Sequence, residues 1–401
     1  MNSGYNIANL NPKSIAAYIH FPFCQRKCAY CDFYSEDHHL ERIDSWVAAL
    51  EKEIQLRLAK LNFYPKLSTI YIGGGSPNLL GAANLKRIVR VFQAHADWSS
   101  LDEFTIEFNP NYVTEELVSA MLESGVNRIS LGCQSFQNAE LAMLGRLHST
   151  TEIETTLQLL LHAGFANLSI DLIYGIPGQT LQTWAHSLQR ALDYRVTHLS
   201  LYNLIYEKGT QLSKARAAER IPVVTEEVEW QMFAFAHEKL ADCGYEHYEI
   251  SNWGKPGYAS YHNQAYWQYR PYLGFGPAAH SFYNMRRSWN VRSVDQYIQR
   301  LQRKGLPIAG HEVITPPKRD LEILMLGLRT RNGVSCSLLQ EMTGVEYAVL
   351  VKALEQKFAE KTNELWYIAE DNLSLTTLGW FLYNSVLDIF IDLIGELKNG
   401  H

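Results

Sequence analysis

Short apolar runs alternate with longer amphipathic segments through the first half of the chain. Ala16 to Ile19, Thr69 to Ile72, Phe104 to Phe108, Arg128 to Leu131, Leu168 to Leu172 and His198 to Tyr202 have the length and β-branched or aromatic content of strands. Between them, Ile43 to Lys60, Leu85 to His95, Glu115 to Ser124, Thr151 to Ala163 and Thr180 to Tyr194 carry helical periodicity. Six strands alternating with helices in this way predict an α/β fold in which helical crossovers force the strands to pair in parallel. Gly73-Gly74-Gly75, Asn109-Pro110 and Gly175-Ile176-Pro177 follow strands, so these loops gather on the rim where α/β sheets bind ligands.

Tyr206 to Val224 reads as a loop with a short helix, and Trp230 to Cys243 as a helix stopped by Gly244. The pattern then becomes irregular and aromatic. From Thr315-Pro316-Pro317 onward, helices are expected at Lys318 to Leu328, Ser337 to Thr343 and Tyr347 to Lys361, then a strand pair around Trp366 and Leu373, then a last helix. The divisions are a tail at 1–15, a barrel at 16–245, an aromatic-rich segment at 246–314 and a small C-terminal α+β, winged-helix-like domain at 315–401.

A chain of 401 residues that is 47% hydrophobic and 19% charged can bury a large core and is not disordered by composition. Its net charge of -6 gives no global attraction to nucleic acid or to an anionic membrane. Met1 to Ser14 lacks the basic and apolar regions of a secretory signal, so a cytoplasmic location is expected. Trp380 to Ile394 is interrupted by Asn384, Asp388 and Asp392; it reads as a buried helix rather than a transmembrane segment.

Three of the six cysteines, Cys24, Cys28 and Cys31, fall within eight positions just after the first strand. Structural zinc sites use paired C-x-x-C units and a fourth protein ligand; only one such unit is present. Three thiolates suit an iron–sulfur cubane and leave one iron open to a further ligand. Cys133, Cys243 and Cys336, being isolated, read as small core residues.

The glycines of Gly73-Gly74-Gly75-Ser76-Pro77 permit close approach of the backbone to a ligand, although a plain turn explains a glycine run equally well. Glu107, Gln134 and Asp171 lie at the ends of successive strands, where buried carboxylates need partners. Arg146, in Leu-Gly-Arg-Leu-His, is able to clamp a carboxylate.

With these motifs in this order, the chain resembles the radical S-adenosylmethionine (SAM) superfamily, whose members carry C-x-x-x-C-x-x-C after the first strand of a partial barrel. The resemblance implies a partial (β/α)6 TIM-like barrel holding a 4Fe-4S cluster on Cys24, Cys28 and Cys31. It implies that the open iron chelates the amino and carboxylate groups of SAM, and that electron transfer cleaves the sulfonium to a 5'-deoxyadenosyl radical. By the same resemblance, Gly74, Gly75 and Ser76 face the methionine ammonium and Arg146 the carboxylate. Gln134 and Asp171 hold ribose hydroxyls, Glu107 meets the ribose or the ammonium, Tyr18 and Tyr30 touch SAM, and Leu204 and Ile205 form a wall for adenine.

Within the superfamily the similarity narrows to the coproporphyrinogen III oxidase-like group and runs from Tyr18 to the C-terminus. The oxygen-independent oxidases have a further cysteine where Phe33 stands, and a long segment before the cluster where this chain has 23 residues before Cys24. HemW-type haem chaperones carry His-Asn-x-x-Tyr-Trp, which reads here as His262-Asn263-Gln264-Ala265-Tyr266-Trp267. Histidine is a sound axial ligand for haem, and Tyr261, Tyr266, Trp267 and Tyr269 can cover its face; the alternative is an aromatic lid over the barrel. His247 and His280 are further candidates. The expectation is a haem chaperone that binds haem at His262 and delivers it to an acceptor such as a respiratory protein, with a flavodoxin or ferredoxin as electron donor and no nucleic-acid partner. The rivals are a coproporphyrinogen III dehydrogenase and a radical haem-degrading enzyme.

Overall fold

The computed structural model describes residues 14–99, 101–358, 364–369 and 371–399. Most of the 1–15 tail and the end of the helix expected to reach Lys361 lie outside these residues. The six anticipated strands are present as β1 (Ser14–Phe21), β2 (Lys66–Gly74), β3 (Glu103–Phe108), β4 (Arg128–Gln134), β5 (Leu168–Tyr174) and β6 (His198–Asn203). Each pairs in parallel with the next. The crossover helices start where the sequence supplies caps. Ser149 and Glu152 form a capping box for Thr150–His162, Thr180 caps Leu181–Asp193, and Thr225 accepts from the Val228 N–H at the start of Glu226–Asp242.

The segment after Gly244 is not irregular. It adds β7 (Glu246–Glu249), β8 (Asn252–Gly254), β9 (Tyr272–Phe275), β10 (His280–Tyr283), β11 (Arg286–Asn290) and β12 (Ile308–Val313). The twelve strands form one sheet in the order β12-β11-β10-β9-β1-β2-β3-β4-β5-β6-β8-β7. The chain therefore leaves one edge after β8 and returns on the opposite side, where β9 pairs in parallel with β1. These strands have three to six residues each, too short for alternation to stand out in a sequence.

A buried polar network fastens this returning arm to the helix Ile43–Ala59. Glu53 pairs with Arg57 at 2.9 Å and accepts from the Gly276 N–H (2.8 Å), Asn290 Nδ2 (2.7 Å) and Tyr297 OH (2.6 Å). Arg57 in turn donates to Ser281 Oγ and Asn290 Oδ1, each at 2.8 Å. A buried ion pair is tolerable only when its remaining hydrogen-bonding capacity is filled, and here one partner set spans both halves of the barrel.

Alternation on the strands sorts the two faces of the sheet. Ile15, Ala17, Ile19 and Phe21 face the helices, where Trp46 meets Phe21 edge-on at 5.3 Å between ring centroids. Tyr18, Tyr71, Glu107, Ser130 and Asp171 face the lumen and bond with one another or with lumen partners. The barrel is thus apolar outside and polar within.

Beyond Thr315 the order is helix Pro316–Leu328, strand Val334–Ser335, helices Cys336–Thr343 and Tyr347–Phe358, and the hairpin Trp366–Ala369 with Asn372–Leu375. Three helices and a three-stranded sheet in that order match the winged-helix-like expectation. The single helix anticipated around Trp380 to Ile394 is two, Thr377–Phe381 and Tyr383–Asn399. The Arg329 guanidinium lies 4.8 Å from the centroid of the Trp267 ring, tying this unit to the barrel. No helix among the described residues is long and apolar enough to cross a membrane.

Candidate functional site

Cys24, Cys28 and Cys31 are free thiols, all half-buried, on the loop that leaves β1. The loop is held from two sides. The Ala29 N–H donates to the Leu144 carbonyl (3.0 Å), and the Ala29 carbonyl accepts from the Leu212 N–H (2.9 Å). Burial raises the pKa of the Cys24 thiol and pushes that of Cys31 up to about 11, and charge on the neighbouring cysteines adds to both effects. Thiolates here need a positive partner, and Arg146 supplies one, with Nη1 3.4 Å from Cys28 Sγ.

The glycine loop is laced to the cysteine segment. The Gly75 N–H donates to the Phe21 carbonyl (2.7 Å) and the Ser76 N–H to the Phe23 carbonyl (2.8 Å). A Cβ on Gly75 would lie 2.3 Å from the Phe23 oxygen, and one on Gly74, whose φ is +111°, would lie 2.6 Å from the His20 ring. These glycines are required by close approach to β1 and its loop. Ser76 is buried and bonds to Cys24, while its Oγ accepts from Asn109 Nδ2 at 2.6 Å. Asn109 Oδ1 also accepts from Arg146, which donates further to the Gly132 carbonyl (2.9 Å). Asn109 is thus the junction of the site. The sequence displays it only as a loop residue.

Glu107 is half-buried, and its partial removal from water raises its pKa. Its carboxylate accepts from Tyr71 OH (2.6 Å) and from the Gly74 N–H (3.0 Å), so it braces the glycine loop from below. Asp171 accepts from Ser130 Oγ at 3.0 Å; burial, then the charge of Glu107, raise its pKa from 3.8 to about 6. Gln134 has φ +68° and lies at a register shift between β4 and β5. Bulges of this kind re-aim side chains, and a left-handed non-glycine residue is uncommon.

Tyr18 OH meets His20 Nδ1 at 3.0 Å, and His20 Nε2 meets the Tyr34 carbonyl at 2.8 Å; burial lowers the His20 pKa to about 4. Tyr30 packs with Leu144, Ile173, Ile176, Leu204 and Leu212 in a small apolar cluster beside the cysteine loop and bonds to Arg146. Leu204 is therefore buried, whereas Ile205 is 66% exposed on the rim. Hydrogen bonds join the glycine loop to the cysteine segment and to Glu107, and Arg146 to Cys28, while Asp171 lies within reach of the Glu107 charge. Tyr71, Asn109 and Ser130 join them, and the sequence marks none of the three as a site residue.

His262 is elsewhere. It lies on the helix Tyr261–Trp267, which spans from β8 to β9 and closes the barrel at the amino-terminal ends of the strands, opposite the cysteines. Its side chain is 1% exposed. Nδ1 bonds to Thr69 Oγ1 (2.8 Å), Nε2 to Tyr266 OH (2.9 Å), and the ring stacks on Tyr71 at 5.0 Å. The carboxylate of Glu103 accepts from the backbone N–H groups of Tyr261 (2.7 Å) and His262 (3.3 Å) and from Ser260 Oγ (3.1 Å). Burial lowers the His262 pKa to about 3. Both ring nitrogens being engaged, this structure does not offer His262 as an open axial ligand; Tyr71 and Tyr266 pack against its ring, while Tyr261 is exposed. Tertiary packing, not the motif, decides this.

The thiols fit a cubane better than a single ion. No three His, Cys, Asp or Glu side chains among the described residues could hold one metal ion between them, yet the three thiols are close enough to shift one another's ionisation. A cubane takes each thiolate at a different iron, so its ligands need not meet at one point. Around them, Gln25 Oε1 and Arg146 Nε are buried without a protein partner.

The model of the Radical SAM superfamily matches residues 18–191. This span holds the cysteine loop, the glycine loop, Glu107, Gln134, Arg146 and Asp171. The chain is a radical SAM protein. It is 36% identical over 386 residues to the haem chaperone HemW of Bacillus subtilis, covering 95% of this chain and all of that one. It is 33% identical to the HemW of Lactococcus lactis (94% and 98% covered) and 28% identical to that of Escherichia coli (94% and 98%). Among solved structures, coproporphyrinogen III oxidase (HemN) of Escherichia coli superposes with a TM-score of 0.80 at 20% identity, covering 95% of this chain and 91% of that one, a likeness of fold. The chain belongs to the HemW family of the radical SAM superfamily.

Proposed function

We propose that this protein is a haem chaperone, binding haem and passing it to a haem-dependent acceptor. The observation that supports this above the others is similarity to HemW chaperones along almost the whole chain, including all of the Bacillus subtilis protein. Cys24, Cys28 and Cys31 would hold a 4Fe-4S cluster, and SAM would lie over the adjoining rim. When bound, the reduced cluster supplies an electron able to cleave the SAM sulfonium. The chain's own residues position and insulate. Arg146 sets positive charge against the thiolates, and Glu107 fixes the Gly74 N–H. Gln134 and Asp171 present polar groups suited to ribose hydroxyls; Gly75, Ser76, Tyr18, Tyr30 and Ile205 shape the walls. A flavodoxin or ferredoxin is the donor class that suits such a cluster, and a respiratory protein is the acceptor we favour.

Anaerobic reconstitution of the full chain tests the reading. About four irons and four sulfides per chain are expected, followed by stoichiometric haem uptake and transfer to an apo-acceptor. Haem uptake without transfer, or no uptake, would reject it. The fold shared with coproporphyrinogen III oxidase keeps an oxidase in view. Phe33, 68% exposed, replaces the extra cysteine of that enzyme. Decarboxylation of coproporphyrinogen III by the reconstituted protein would establish that alternative.

A further inference from the structure

With His262 sealed into the floor, the cargo needs another seat. An open groove of about 460 Å³ lies between the cysteine loop and the returning arm of the sheet. That is within the size range of small-molecule sites, roughly 300–1,000 Å³. Its lining includes His20, Phe33, Tyr34, His280, Trp289 and Arg292. Phe33 is 68% exposed, a large apolar ring with no burial to justify it, and it borders this groove. His280 is exposed and stacks at 6.0 Å on Trp289; its imidazole makes no hydrogen bond among the described residues. Arg292 is exposed, lies 5.6 Å from the centroid of the Tyr34 ring, and has no ion-pair partner among the described residues.

Haem asks for these three things together: flat apolar walls for the macrocycle, an imidazole free to bind iron, and a cation at the wet edge for propionate. His262 meets none of them, because it is buried and doubly hydrogen-bonded. We infer that haem binds in this groove with His280 as its axial ligand and Arg292 at a propionate. The inference rests on the haem-chaperone reading and gives that reading its binding site. Partial desolvation and the positive charge of Arg287 lower the His280 pKa and so favour the neutral, ligating imidazole at pH 7. The seat also lies beside the cofactor rim. The His20 ring packs where a Cβ on Gly74 would be, so a single side chain separates the groove from the glycine loop.

The test titrates cluster-loaded full-length protein with haem and, separately, with iron-free protoporphyrin IX, following the Soret band and, for iron ligation, resonance Raman. His280→Ala should weaken haem binding about tenfold or more and abolish the histidine–iron signature, which added imidazole should restore. Protoporphyrin IX affinity should stay within about threefold, because the walls and Arg292 remain. Arg292→Gln should weaken both ligands. Wild-type haem affinity and ligation in His280→Ala would overturn the inference while leaving the chaperone reading intact. Equal loss of haem and protoporphyrin would reduce His280 to a wall residue and overturn its axial role. Failure of the wild-type protein to bind haem would remove the chaperone reading and this inference together.

Discussion

The two ends of the barrel are both polar, but they differ in how far their polar groups are buried. At the floor, Glu103, Thr69, His198 and His262 are at most 2% exposed, and each has hydrogen-bonding partners supplied by the protein. At the mouth, the cysteines and Asp171 are only partly buried, Gln134 is held at positive φ, and Arg146 Nε and Gln25 Oε1 have no protein partner. Buried atoms without a protein partner occur at both ends, Arg128 Nε and Trp267 Nε1 at the floor among them, so what sets the mouth apart is its exposure and its thiols. The difference teaches that a distinctive motif need not be a ligand site: His262 belongs to the floor, and Cys28 to the mouth.

The sharpest way to break this contrast is to remove one residue from each end. Cys28→Ala should reduce cluster iron and sulfide to near background after anaerobic reconstitution, while far-ultraviolet circular dichroism is unchanged. Retention of full cluster content would contradict the assignment of the mouth. Gly75→Ala drives a methyl group to within 2.3 Å of the Phe23 oxygen, so it should displace the glycine loop and weaken SAM binding by about tenfold or more in calorimetry. Unchanged SAM affinity would show that this loop does not form the SAM wall.

His262→Ala removes two hydrogen bonds and a stacked ring from a buried site, which costs about 2–4 kcal/mol. Its Tm should fall by several degrees, while cluster content and the histidine–iron signature of bound haem persist. Loss of that signature without loss of stability would return the axial ligand to His262. The smallest effect concerns Asp171. Its pKa is raised in the folded protein, so the protonated form is favoured there, and folding stability falls as pH rises from about 4 through about 6. Asp171→Asn should therefore raise the Tm of SAM-free protein slightly at pH 8 and leave it unchanged near pH 4; a gain that is flat across this range would mean the carboxylate carries no burial penalty.

Much of the molecule was legible in the chain because the information is local. The six parallel strands follow from short apolar runs, and the crossover helices match their expected spans within a few residues because caps such as Thr114, Ser149 and Thr225 sit where periodicity begins. The cysteine loop is equally local. Three thiols in eight positions cannot avoid being neighbours, whatever surrounds them.

What the sequence by itself determined was therefore the repeating βα unit, its polar rim and the class of chemistry at the thiols. Only the tertiary structure decided which edge of the sheet each later strand joins, where the helix Tyr261–Trp267 points, and that Tyr34, His280 and Arg292 share one groove. The physical reason is separation along the chain. Strands of three to six residues have no periodicity strong enough to name their partners, so long-range contacts such as the Glu53–Asn290 bond place them. An imidazole in a sequence gives no sign of whether its nitrogens will be spent on neighbours, as at His262, or left open, as at His280.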